Sequence, residues 1–132
     1  MPTRTAITPA NSNALYKLHG YSPAIRSGDL LFVSGMVGAR PDGSPEPELS
    51  AQVKLAFENL RGVLTAAGCT FDDVVDLTFF MIDPEASVGL ILEARDAAFA
   101  TEPKPNITAI GVNWLAGFQV EIKVIARIPA TA

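Results

Sequence analysis

Phe118-Gln119-Val120-Glu121-Ile122-Lys123-Val124-Ile125-Ala126-Arg127-Ile128 is the stretch that decides the fold. Its even-numbered residues are apolar without a break, while Gln119, Glu121, Lys123 and Arg127 fall between them. Side chains of a strand point alternately to its two faces, so the run predicts one long strand with an apolar face and Glu121 pointing away from it. Val74 to Met81 has the same spacing: Val75, Leu77, Phe79 and Met81 alternate with Val74, Asp76, Thr78 and Phe80, which puts apolar residues on both faces. Ser27-Gly28-Asp29 is a turn signal ahead of the apolar run Leu30 to Val33 and predicts a hairpin. Ala39 to Pro47 collects three prolines, Asp42, Gly43 and Ser44 and reads as an exposed loop.

Between the strand segments the period changes. Leu49, Val53, Ala56, Phe57, Leu60, Leu64 and Ala67 recur at three and four, one face of an amphipathic helix. Glu46 and Glu48 suit its positive N-terminal end and Gly68 its left-handed C-terminal cap. Asp83-Pro84-Glu85 starts a second helix, with Val88, Ile91, Leu92, Ala98 and Phe99 as its inward face. Two helices cover one face of a sheet of four to six strands. The other face, apolar in part, calls for a cover, and with no third helix a second copy of the chain supplies it. The expected class is α+β, and periodicity carries the assembly no further than an oligomer.

Composition narrows the function. At 132 residues the chain is expected to be one domain, 1–132, long enough to bury roughly two thirds of its unfolded surface. Ten Lys plus Arg against fourteen Asp plus Glu give a formal net charge of -4, which argues against nucleic acid and anionic membrane surfaces as partners. Cys69 is the single cysteine, so neither an intramolecular disulfide nor a multi-cysteine metal site is expected. Residues Met1 to Asn13 lack a basic segment followed by an apolar core, and no apolar run approaches a membrane span; a cytoplasmic protein is expected. With no Walker loop, Gly-x-Gly-x-x-Gly, serine elbow or metal-ligand cluster, no cofactor and no metal are implied.

Several segments taken together, in order and spacing, carry a resemblance: Gly20-Tyr21-Ser22, Leu31-Phe32-Val33-Ser34-Gly35, Ala66-Ala67-Gly68-Cys69-Thr70-Phe71-Asp72-Asp73-Val74, Lys104-Pro105-Asn106-Ile107-Thr108-Ala109, and Glu121 fifteen residues after Asn106. From about Tyr21 to Ile128 the chain resembles the RidA/YjgF family of reactive-intermediate deaminases, also labelled endoribonuclease L-PSP, and most closely its YjgH-like subgroup. The resemblance implies a chorismate mutase-like sheet of about six strands with two helices on one face. It implies a homotrimer around a central barrel, with small-molecule pockets between subunits.

It also implies a site. In active relatives an arginine holds the substrate carboxylate through a bidentate pair, a geometry that only guanidinium supplies. Asn106 stands at that position, so 2-imino acids are expected to be poor substrates. Glu121 falls where the family has its acid/base glutamate and Tyr21 where it has an aromatic hydroxyl. Gly35 and Met36 stand in Ser34-Gly35-Met36, where the family usually has Ser-Gly-Gln, and join Tyr21, Asn106 and Trp114 as candidate substrate-binding residues.

Each candidate has a plainer reading. Glu121 suits a strand glutamate paired with Lys or Arg of a neighbouring strand. Asn106 suits a loop residue bonding its own backbone, and Trp114 suits packing, with a pocket wall as the alternative. His19 reads as a surface or turn residue without a partner carboxylate, and Cys69 as a buried structural thiol. Arg26, Arg40 or Lys104 is open as a replacement for the arginine. Three functions follow: a cofactor-independent hydrolase of a small imine, enamine or carbonyl compound; a non-catalytic metabolite binder or sensor; and an endoribonuclease, which the charge disfavours.

Overall fold

The computed structural model describes residues 3–130. In chain order they form β1 (Thr5–Ile7), α1 (Leu15–His19), β2 (Ala24–Ser27), β3 (Leu30–Val33), α2 (Leu49–Ala66), β4 (Val74–Met81), α3 (Pro84–Ala98), β5 (Asn106–Gly111) and β6 (Val120–Arg127). The strands make one six-stranded sheet in the order β1-β2-β3-β6-β4-β5. Every pairing is antiparallel except β4 with β5, which are joined through α3 as a parallel crossover. The α+β class, the six strands and the two long helices agree with the sequence expectation. β1, α1 and β5 are additions, each too short or too weakly patterned to stand out.

Local chemistry explains the boundaries. Gly28, at φ 63°, makes the two-residue turn that pairs Ser27 with Leu30. The α2 helix ends in a paired closure: Gly68, at φ 77°, donates to the Thr65 carbonyl and Cys69 to the Leu64 carbonyl. The Asp83 side chain accepts from the Ala86 N–H at 3.3 Å, with Pro84 in the first turn of α3.

The core lies between the sheet and the two long helices, built on Leu31, Val33, Leu60, Leu64, Leu77, Phe79, Ile122 and Val124. In β6 the expected apolar face is buried throughout, and Glu121, Lys123 and Ile125 point to the other side. Four expectations need correction. A bulge between Val74 and Asp76 turns Val74 inward and leaves Val75 48% exposed, so Val75 does not share the face of Leu77. In α3 the inward residues are Ser87 and Ile91 with Leu90 and Ala94 beside them, while Val88 faces out; the apolar stripe is rotated by one position. The stretch Ala39 to Pro47 is exposed only in part: Arg40, Pro41, Asp42 and Pro47 are exposed and Gly43 to Glu46 half-buried, whereas Ala39 is buried, pairs with Pro45, and packs with Val37 and Phe118. Trp114, expected to pack, is 73% exposed.

Gln52 is buried on the apolar side of α2, where the sequence periodicity had no place for a polar group. Its Nε2 donates to the Glu46 carbonyl at 2.9 Å and its Oε1 accepts from the Gln119 N–H at 2.6 Å. One side chain thus ties the loop after Gly38 to the entry of β6. A Cβ on Gly38 would stand 2.6 Å from Gln52 Cγ, so only glycine lets the loop lie this close to α2. Gln52→Leu keeps the volume but leaves a donor and an acceptor without partners. It is expected to lower stability by about 1–3 kcal/mol, read as a shift of the urea midpoint with unchanged slope.

Candidate functional site

The β3–β6 ladder is interrupted where the site begins. Phe32 pairs with Ile125, and the next pairing is Met36 with Ile122, so four steps along one chain oppose three along the other. The extra residue is a bulge at Val33-Ser34-Gly35. It has two effects. Met36 turns into the core, where it is 1% exposed and its sulfur takes a hydrogen bond from the Tyr16 hydroxyl; expected among the binding residues, it is not in the cleft lining, and its backbone pairs with Ile122. The ladder gap beside β6 is filled by Glu121 and Lys123. The Lys123 ammonium donates to the Val33 carbonyl that the bulge frees, and the Glu121 carboxylate lies against Gly35. A Cβ on Gly35 would sit 2.5 and 2.8 Å from the two carboxylate oxygens.

Glu121 forms part of the wall of a cleft of about 660 Å³, at the end of the sheet where β4 and β5 finish and β6 starts. Leu18, Val37, Phe80, Trp114, Leu115 and Phe118 supply much of its apolar wall; His19, Tyr21 and Glu121 are its titratable side chains. Tyr21 is positioned by the end of α1: Gly20, at φ 69°, and Tyr21 both donate to the Tyr16 carbonyl. The following residues are fixed by Ser34, whose hydroxyl donates to the Ser22 carbonyl at 2.7 Å and whose N–H donates to the Pro23 carbonyl at 2.9 Å. The Tyr16 and Tyr21 rings meet edge to face at 5.1 Å. On the far wall Ala116 and Gly117 both have positive φ, 54° and 94°, in the tight turn between Leu115 and Phe118. An alanine in that region is uncommon and sits directly in the cleft lining.

The electrostatics follow from burial. Desolvation holds the half-buried Glu121 carboxyl above its ordinary range, with Lys123 pulling part of the way back. Desolvation pushes Lys123 down, opposed by Glu121 and Asp76. The Tyr21 hydroxyl is raised by burial first and by the Glu121 charge second, and burial with Tyr21 beside it pushes Tyr16 up to about 12. Among the described residues Glu121 forms no ion pair within 4.0 Å, which removes the plain cross-strand salt-bridge reading for a single chain.

Within one chain the structure brings Tyr21, Gly35, Trp114, His19 and Glu121 to one cleft and leaves Asn106 out of it. Glu121 pairs with Phe80, which pairs with Ile110, whereas Asn106 pairs with Asp76 at the opposite end of β4. Four residues of strand separate the two levels, about 13 Å at ~3.3 Å per residue. The cations left open as anchors lie elsewhere: Arg26 donates to the Gly28 carbonyl, Arg40 to the Ser44 hydroxyl, and Lys104 to the Phe99 carbonyl with Glu102 nearby. Cys69 is buried, with its thiol held up by desolvation. Sequence reasoning missed Gln52, whose signal is a glutamine three residues after Leu49 and four before Ala56, on the helix's apolar stripe. Spacing by two already put Lys123 on the face of Glu121; what the sequence did not signal is the Val33 carbonyl as the partner of Lys123.

Comparison with known proteins agrees with this architecture over its whole length. The chain is 59% identical over 129 residues to the RutC family protein YjgH of Escherichia coli, covering 98% of each. The solved structure of protein YjgH superposes with a TM-score of 0.93 at 58% identity, covering 98% of this chain and all of that one. RidA from an Antarctic Psychrobacter superposes at 0.84 with 28% identity, over 94% of this chain and 99% of its own. A family model described as endoribonuclease L-PSP matches residues 11–128, and with the YjgH likeness from end to end the chain belongs to that family, the RidA/YjgF family.

Proposed function

We propose that this protein is a cofactor-independent hydrolase of small C=N compounds, working in a cleft that neighbouring copies of a homotrimer complete. The observation that carries the reading is the Glu121 carboxylate, seated in a glycine cradle on a cleft wall and held above the ordinary carboxyl range by burial. A carboxylate so placed suits general acid/base work near neutral pH. Its oxygen takes a proton from water as the water oxygen attacks the imine carbon. On a protonated imine this leaves a neutral carbinolamine. Glu121 returns the proton to its nitrogen, the C–N bond breaks as the Glu121 carboxylate takes the hydroxyl proton, and a carbonyl compound and ammonia leave, that last proton passing from Glu121 to ammonia or water. Tyr21 and the backbone at Gly35 orient the ligand, and Trp114 covers it.

The sheet face away from the helices supports the assembly. Phe32 and Ile110 are 39% and 40% exposed there, beside half-buried Phe80 and Ile125, and a second copy removes this apolar surface from water. Asn106 lies at the far end of that face, so Asn106 of a neighbouring copy is the one that can reach a Glu121 cleft. An amide there donates and accepts toward a neutral group but does not make the two-point ionic grip of guanidinium. The same cleft suits a non-catalytic metabolite binder, a reading favoured by this loss. Against an endoribonuclease stand the net charge of -4 and a lining without Lys or Arg. The single buried thiol suits the reducing cytoplasm.

Glu121→Gln is expected to cut imine hydrolysis by about 10² to 10⁴ while light scattering still gives three copies of the 14.0 kDa chain. Full activity in that variant rejects the assignment. The carboxylate is the active form, so turnover is expected to fall on acidification at a pH above that of an ordinary glutamate. For stability the sign is opposite. A raised folded-state value favours the protonated carboxyl, stabilising the fold below the unfolded value and losing that stabilisation as pH rises through the folded one. Glu121→Gln should therefore be more stable than the parent at neutral pH, by an increment that vanishes in acid. Gly35→Ala should displace the carboxylate and reduce turnover at least tenfold with the trimer intact; unchanged kinetics would show that the cradle does not fix it. With 2-iminopropanoate generated in situ by an amino-acid oxidase, the parent should be inactive and Asn106→Arg active. Acceleration by the parent points to another anion anchor, and inactivity of both favours the binder.

A further inference from the structure

Resting on the reading of Glu121 as the acid/base group, we propose that the cleft selects the protonated imine of an aromatic or branched aliphatic aldehyde or ketone, a cation on an apolar body with no carboxylate. Three observations converge on that class. The first is the sign of the charge inside. Glu121 is the lining's one acidic side chain, and neither lysine nor arginine is among the lining residues. The nearest ammonium, Lys123, is spent on the Val33 carbonyl, and Asp76 faces it from β4. An anionic ligand would meet the Glu121 charge without a counterion, whereas an iminium N–H donates to it in a charge-assisted bond.

The second is the character of the rim. Leu18 and Trp114 stand 71% and 73% exposed and line the same cleft, although large apolar side chains are ordinarily covered. Phe80, Leu115 and Phe118 continue the apolar surface inward. A ligand body of six or more carbons would remove these side chains from water, while a two- or three-carbon imine would leave most of them wet. The third is aromatic polarity. Trp114 and Tyr21 line the same space as the carboxylate, and a cation that settles over the face of either ring is attracted where an anion of equal size is repelled. The volume of about 660 Å³ accepts a single-ring ligand with room to spare.

Stable probes separate charge from shape without any turnover. Benzamidine is a planar cation resembling a protonated imine, benzamide is its neutral counterpart, benzoate its anion, and acetamidine the same cation without the ring. By calorimetry on the intact oligomer at neutral pH, benzamidine should bind at least about tenfold more tightly than each of the other three. Glu121→Gln should bring benzamidine down to the level of benzamide. Trp114→Ala should weaken benzamidine by a larger factor than acetamidine. Benzoate binding as well as benzamidine overturns the proposal, as does acetamidine matching benzamidine or no binding of any probe at millimolar concentration. If benzamidine binds through Glu121 and no imine is hydrolysed, the ligand class stands and the hydrolase reading falls. If Glu121→Gln abolishes hydrolysis while benzoate is the preferred probe, the reverse holds.

Discussion

One extra residue between Phe32 and Met36 governs the rest of this molecule. A regular ladder from β3 to β6 would have carried Met36 onto the open face of the sheet and closed the space beside Glu121. With the bulge, Met36 turns into the core and its backbone rejoins Ile122, and a gap opens at Ser34-Gly35. The gap is filled by two opposite charges from β6, one hydrogen-bonded to a freed carbonyl and one set against a residue that has no side chain. A buried carboxylate on a rigid central strand is costly, and such strain is tolerated where the surroundings over-determine it. Here Glu121 is held on the β4 side by its pairing with Phe80, while on the β3 side the ladder is broken and Gly35 lies against the carboxylate.

The supporting pieces converge on the same end of the sheet from distant parts of the chain. Gln52 reaches from α2 to both the loop after Gly38 and the entry of β6. Asn59, about two helical turns further along, donates from the same helix to the Val37 and Ala39 carbonyls at 3.0 and 3.1 Å. Together they anchor the wall that carries Val37 and, through its packing, Phe118. The helices are therefore more than a cover for the core. They hold irregular backbone, which the sheet cannot pair, at the margin of the cleft.

Strict alternation made β6 and most of β4 legible, and the three-four periodicity of Leu49 to Ala67 made α2 legible, because each pattern has a single period. The errors lie where a period is broken by one residue. Val75 and Met36 were misplaced by bulges, which shift parity without leaving a mark in the sequence. Val88 was misplaced because α3 is apolar over a wide arc, so several phases fit it equally well. Glu121, Tyr21 and Gly35 were placed by resemblance and do gather within one chain. Asn106 does not gather with them, because spacing along a chain says nothing about which copy of a strand will lie opposite. Leu18 had no signal at all, and Trp114 was named as a pocket wall only beside a packing reading: exposure of a large apolar residue is a property of the finished surface.

Family membership and local chemistry pull in different directions, and the difference has a physical form. In this chain the scaffold supplies the bulge, the glycine and the carboxylate. An arginine at position 106 would pair with a ligand's carboxylate and leave the charge of Glu121 as it is. The cleft of a single chain holds Glu121 among apolar walls with no Lys or Arg in its lining and with Lys123 easing its charge only in part, and a cationic ligand, as proposed, is its counterion. A raised carboxyl value is then a property of the empty cleft: a bound cation would draw Glu121 back toward the charged form, and departure of the cation as a neutral carbonyl would return it to the protonated side. The proton needed by the leaving nitrogen and the charge needed to hold the incoming ligand are in this way two states of one side chain.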